Sequence, residues 1–113
     1  MNWNQLDRIE QLDTIDEESK HKKIMILKHS TRCSISDAAL GRLNRKWKDE
    51  NNTIVKPYYL DLLAHRNISN AIAERYQVYH ESPQALIISQ GKCVFSQTHM
   101  SIDLDELLNV AKE

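Results

Sequence analysis

Cys33 and Ser36 lie three residues apart in the run Lys28-His29-Ser30-Thr31-Arg32-Cys33-Ser34-Ile35-Ser36. An apolar stretch ends just before this run, and a helical pattern begins inside it. A thiol at such a strand-to-helix junction meets the positive end of a helix dipole, where backbone N–H groups lack partners. That field favours thiolate over thiol, and the thiolate is the nucleophile. Lys28, His29 and Arg32 are expected to add positive charge nearby. Ser36 stands where a second cysteine would complete a Cys-x-x-Cys pair, so a redox site here has one sulfur. The competing reading is a buried, inert cysteine, since free Cys often packs as a small apolar residue.

Only two glycines and two prolines punctuate the chain, so hydrophobic periodicity must define the elements. Leu12 and Ile15 recur with Ile9 at threes, the pattern of a short amphipathic helix. Lys20 to Lys23 reads as a solvated loop. Ile24-Met25-Ile26-Leu27 is a continuous apolar run, as expected of a strand covered on both faces. From Ser34 to Trp47 the pattern is helical, with Ala39, Leu43 and Trp47 on one stripe and Asn51-Asn52 as the stop. Tyr58 to Leu62 reads as a strand, and Pro57, which lacks an N–H, is expected at its start. Ile68, Ala71, Ile72 and Tyr76 mark another helix, with Asn67 or Ser69 as its cap. Ala85 to Ile88 is a further buried strand, turned by Gln90-Gly91 into Cys93-Val94-Phe95. A last helix opens at Asp103, with Glu106 placed for a capping box. A short strand near Trp3 to Leu6 precedes them all. Strands alternating with helices imply right-handed crossovers and an α/β fold, and the terminal hairpin makes the sheet mixed.

A chain of 113 residues is expected to form one domain with a core of its own. The longest aliphatic run is four residues, too short to span a membrane. Met1 to Gln5 lacks the features of a signal peptide, so a cytoplasmic location is expected. Net charge is -1, with 15 basic and 16 acidic residues interspersed, so no basic stripe points to nucleic acid. The five histidines show no metal-ligand spacing, and no metal is expected. A structural disulfide between Cys33 and Cys93 is not expected in that compartment.

The site residues resemble a known family. A cysteine opening the first long helix, a serine three residues on, and a proline leading into a hairpin about fifty residues later resemble the thioredoxin fold with a Cys-x-x-Ser site. Lys28-His29-Ser30-Thr31, Cys33 and Ile35-Ser36 are similar to the Lys-His-Ser-Thr-x-Cys-Pro-Ile-Ser signature of the YtxJ family, the monothiol bacilliredoxins. His80-Glu81-Ser82-Pro83-Gln84 resembles that family's second signature, and Tyr58-Tyr59-Leu60, Ser69-Asn70 and Ile72-Ala73-Glu74 fit the segments between them. Ser34 departs from the pattern, since the family usually has Pro there.

The resemblance implies a single thioredoxin-like domain over residues 1–113, with a central mixed sheet of four to five strands flanked by helices on both faces. It implies a monothiol thiol–disulfide oxidoreductase that removes bacillithiol, a low-molecular-weight thiol, from mixed disulfides on client proteins. Cys33 is then the nucleophile, bacillithiol the co-substrate, and no cofactor is tightly bound. Ser34, Ile35 and Ser36 complete the active-site motif and tune the thiolate. Ser36 either donates its hydroxyl to the sulfur or caps the helix. Thr31 and Arg32 flank the sulfur and are expected to touch substrate, Arg32 through a carboxylate of bacillithiol's malate group. Ser82 and Pro83 are expected to bind substrate through a cis Ser82–Pro83 bond, while His80 and Glu81 shape that loop or lie on the surface. Cys93 should lie at the far end of its hairpin, beyond disulfide reach of Cys33. The alternatives are a thioredoxin-like binding module without turnover, or a thiol-dependent iron–sulfur protein.

Overall fold

The computed structural model describes residues 1–113. Its strands are β1 (Asn4–Gln5), β2 (Lys23–His29), β3 (Val55–Asp61), β4 (Gln84–Ser89) and β5 (Lys92–Thr98). Its helices are α1 (Gln11–Glu18), α2 (Ser34–Lys46), α3 (Arg66–Tyr76) and α4 (Leu104–Ala111). The five strands form one mixed sheet in the order β1-β3-β2-β4-β5. β3 runs parallel to both β1 and β2, whereas β4 is antiparallel to β2 and β5 to β4.

Two apolar layers enclose this sheet. Leu12 and Ile15 of α1 and Ile68, Ile72 and Tyr76 of α3 pack on Ile24, Ile26, Leu60, Leu86 and Ile88. Ala39 and Leu43 of α2 and Leu104, Leu107 and Leu108 of α4 pack on Met25, Leu27, Ala85 and Ile87. Successive β2 side chains alternate between these layers, as the pleat requires. That alternation decides which way the polar residues at its end must turn.

Several elements differ from their sequence-based bounds, each for a local reason. Ile9 stays outside α1 and is 44% exposed, because Gln11 Oε1 accepts the N–H groups of Asp7 and Arg8 and closes the chain into a turn first. β2 runs two residues past the apolar run, through Lys28 and His29, both buried. Pro57 lies inside β3 and not at its start. Its carbonyl accepts from Asn4 Nδ2, so the side that lacks an N–H faces the space just before the start of β1. α2 ends at Lys46, and Asp49–Thr53 forms a separate 3-10 turn. α3 begins earlier than expected, with His65 at the N-cap and no side-chain cap bond from Asn67 or Ser69. Gln90 and Gly91 both take positive φ, 53° and 73°, which suits a two-residue hairpin.

At α4, Asp103 Oδ2 accepts the Glu106 N–H at 3.1 Å, as expected. The reciprocal bond of a capping box is absent, because the Glu106 carboxylate accepts from Gln97 Nε2 instead. Asp103→Ala is expected to cost about 1 kcal/mol of stability, measured by denaturant unfolding, since one first-turn N–H loses its acceptor.

Candidate active site

The end of β2 presents two polar residues in a row, Lys28 and His29, and the pleat sends them to opposite faces. Lys28 turns to the face covered by α3. It is fully buried, and no carboxylate meets it. Its Nζ donates to His80 Nδ1 at 2.8 Å and lies 3.4 Å from the carbonyl of Ser69. Burial without an opposite charge lowers its pKa from 10.5 to about 8. The expectation that Lys28 adds charge beside Cys33 is therefore corrected: its ammonium is committed to the opposite face of the sheet.

His29 turns the other way, beneath α2. Its Nδ1 lies 2.6 Å from Ser36 Oγ, and its Nε2 lies 3.5 Å from Asp37 Oδ1. Its ring tilts against Tyr59 at 5.5 Å between centroids. Burial lowers its pKa below 6.5, outweighing the upward pull of Asp37 and Asp61. His29 is thus neutral at pH 7, which corrects the second expected positive charge. Only Arg32, exposed beside the cysteine, remains of the three.

Cys33 is the N-cap residue of α2, in extended backbone (φ −117°, ψ 120°), and it is partly exposed. Its backbone N–H donates to the Ser30 carbonyl, and its carbonyl accepts the Asp37 N–H. An N-cap residue is usually Ser, Thr, Asp or Asn, whose oxygen takes a first-turn N–H. Here the side chain makes no such bond, and a sulfur occupies the place. Ser34 and Ile35 open the helix and are exposed, as are Thr31 and Arg32 before it.

Ser36 takes neither of its two expected roles. It is fully buried, and its Oγ accepts the Ser30 N–H at 3.0 Å while contacting His29. It pins the Ser30–Arg32 loop and the first turn of α2 to the end of β2. No hydrogen bond joins it to the Cys33 sulfur or caps the helix.

The second signature arrives from the other side of the sheet. β4 starts at Gln84, directly opposite Lys28 in the antiparallel register. The loop before it therefore sits at the same sheet end as the Cys33 loop. The Ser82–Pro83 bond is cis, as the resemblance implies. The Pro83 carbonyl accepts the His99 N–H at 3.0 Å, and Glu81 pairs with His99 Nε2 at 3.2 Å. His80 is exposed, with its Nδ1 held by Lys28 and Ser69. Gln84 donates to the Tyr79 carbonyl at 3.0 Å. The apolar spacing gives no sign of the partners of Lys28 and His29; the one available signal is that both directly follow the apolar run and sit in the same stretch as the cysteine.

Cys93 packs against the layer formed with α1 and α3, near the Gln90-Gly91 turn. Its partner in register is Ile88, whereas Gln84 and Thr98 mark the active end of the hairpin. Burial raises its pKa, and its Sγ donates to the Phe95 carbonyl at 3.3 Å. The two sulfurs thus belong to opposite ends of the sheet.

A mixed five-stranded sheet with paired helices on each face, a half-exposed cysteine at the first long helix and a cis-proline loop at the same end define a thioredoxin-fold thiol protein. Solved structures agree. One, described as a candidate oxidoreductase with a thioredoxin fold, is 33% identical over 96% of this chain and 92% of its own, with a TM-score of 0.79. Thioredoxin from Malassezia sympodialis (13% identity, 97% and 88% covered, TM-score 0.73) and from Fasciola hepatica (16%, 96% and 95%, TM-score 0.71) share the fold.

Within that class, the family model for monothiol bacilliredoxin BrxC matches residues 4–107. The chain belongs to that family, and a thiol redox function follows from it. No helix is long and apolar enough to cross a membrane.

Proposed function

We propose that this chain is a bacilliredoxin of the YtxJ kind, with Cys33 as its single nucleophile. The observation that carries the reading is the sulfur's place: half-exposed, at the N-cap of α2, with a serine three residues on. The Cys33 thiolate attacks the bacillithiol sulfur of a client mixed disulfide. Its electron pair forms the new S–S bond, and the client sulfur leaves with the pair of the old bond and takes up a proton. Ser36 cannot attack sulfur, so a second free thiol must clear Cys33, and bacillithiol is the natural candidate. The co-substrate comes and goes, and no tightly bound cofactor is needed. Clients are proteins carrying bacillithiol on an exposed cysteine, and the cytoplasm, where thiols are kept reduced, suits the reaction.

Thr31, Arg32, Ser34 and Ile35 are exposed around the sulfur and offer the surface that a client would meet. Ser82 and Pro83 lie at the same sheet end, where an extended client segment would pair with the loop backbone. The open position of Arg32 suits a carboxylate of the malate group, through the planar guanidinium fork. Arg32→Ala is therefore expected to raise KM for bacillithiolated client about tenfold, with kcat little changed. An unchanged KM would remove Arg32 from the substrate site.

The test is to follow client thiol release with bacillithiol as the reductant, beside the same client blocked with other small thiols. Faster release from the bacillithiolated client supports the reading. Equal rates with every small thiol would leave a general thiol exchanger and contradict the bacillithiol assignment.

A further inference from the structure

A serine hydroxyl owns one proton and two lone pairs. Ser36 is sealed from solvent, so that proton has few places to go. One lone pair already receives the Ser30 N–H at 3.0 Å. His29 Nδ1 lies 2.6 Å away on another side, a distance with room for one proton between the two atoms. The imidazole is buried under α2 and faces Asp37 through Nε2, with Tyr59 and Asp61 of β3 as its other titratable neighbours. A neutral ring whose Nε2–H points at Asp37 has a bare Nδ1, which accepts. The hydroxyl proton is then spent on His29.

Cys33 and Ser36 are the N-cap and N3 residues of α2, positions whose side chains neighbour each other in the first helical turn. A serine at N3 is therefore placed to donate to a thiolate at the N-cap, and yet no such bond exists here. We infer that His29 is a positioning residue that accepts the hydrogen bond of the Ser36 hydroxyl and so withholds that donor from the Cys33 thiolate. A thiolate without that donor is less stabilised and stays the stronger nucleophile, since nucleophilicity falls as pKa falls. Nearby positive charge, the role the bare sequence offers His29, would act with the opposite sign.

The inference rests on Cys33 as the reactive sulfur but not on bacillithiol, and its test uses neither bacillithiol nor a client. The rate of Cys33 alkylation by iodoacetamide is followed against pH, with peptide mass spectrometry to separate Cys33 from Cys93. His29→Phe keeps a planar ring against Tyr59 and offers no acceptor. The freed hydroxyl then turns to the sulfur, and the thiolate fraction at a given pH rises about tenfold, as for a hydrogen bond to a charged group. His29→Asn places an oxygen acceptor near the position of Nδ1 and restores the wild-type profile. Adding Ser36→Ala to His29→Phe cancels the rise.

Ser36→Ala alone gives a second reading that does not depend on how His29→Phe folds. It leaves the Cys33 profile close to wild type, because the hydroxyl was not serving the sulfur. Circular dichroism checks that each variant is folded. A thiolate fraction that stays the same or falls in His29→Phe would overturn the inference. So would a roughly tenfold loss of thiolate in Ser36→Ala alone.

Discussion

Cys33→Ala is expected to reduce client thiol release to background, a loss of at least about a thousandfold, because no other sulfur can take its place. The fold should hardly notice. Cys33 is partly exposed and its side chain caps nothing, so unfolding stability should change by no more than a surface substitution changes it, within about 0.5 kcal/mol. Cys93→Ala provides the contrast. Its thiol is held up in pKa by burial and lies toward the hairpin turn, away from the site, so activity should persist. Activity that survives in Cys33→Ala and disappears in Cys93→Ala would reverse the assignment of the two sulfurs.

The second large effect concerns stability and has an unusual sign. Lys28→Met is expected to stabilise the protein at pH 7 by about 1–3 kcal/mol, by removing a buried ammonium that has no carboxylate partner. Methionine fills a similar volume, and His80, the partner left behind, is exposed, so water can reach its ring. The pH dependence identifies the cause. The Lys28 amine titrates near 8 in the folded chain and near 10.5 when unfolded, so the unfolded state holds more protons between those values. Wild-type stability therefore rises with pH across that window. The advantage of Lys28→Met is full below pH 8 and shrinks as pH climbs toward 10.5. Urea unfolding at a series of pH values measures it. A gap that is constant with pH would mean that packing, and not charge, is responsible.

His29 pulls stability in the acid direction. Its folded pKa is depressed, so the unfolded state takes up a proton first as pH falls below about 6.5. Stability is then lost progressively on acidification, and His29→Phe should flatten that part of the curve in the same urea series.

Much of the fold was legible because it is written in apolar spacing. The runs Ile24–Leu27 and Ala85–Ile88, the stripes of α2 and α3 and the Gln90-Gly91 turn all report local burial and local backbone preference. Local spacing misleads where a distant partner overrides the local signal. Lys28 and His29 look like the end of a strand, yet both are buried in β2, one satisfied by a histidine 52 residues on and the other by a serine 7 residues on. Pro57 looks like a strand boundary, and only the two-residue length of β1 explains why it is tolerated inside β3. The place of the reactive sulfur was likewise legible, since a strand, a loop and a helix in sequence order suffice to locate it. The work of Ser36 was not. Its hydroxyl had several possible partners in the first turn of a helix, and its capture by His29 depends on how deeply α2 presses that turn onto the sheet.

The most direct measurement is the intact mass of the protein after brief contact with a bacillithiolated client and no added thiol, followed by peptide mapping. The expected result is a single added bacillithiol, in disulfide linkage to Cys33, with an equal amount of client thiol set free. Bacillithiol found on Cys93, or client thiol released while Cys33 stays unmodified, would contradict Cys33 as the sulfur that receives it.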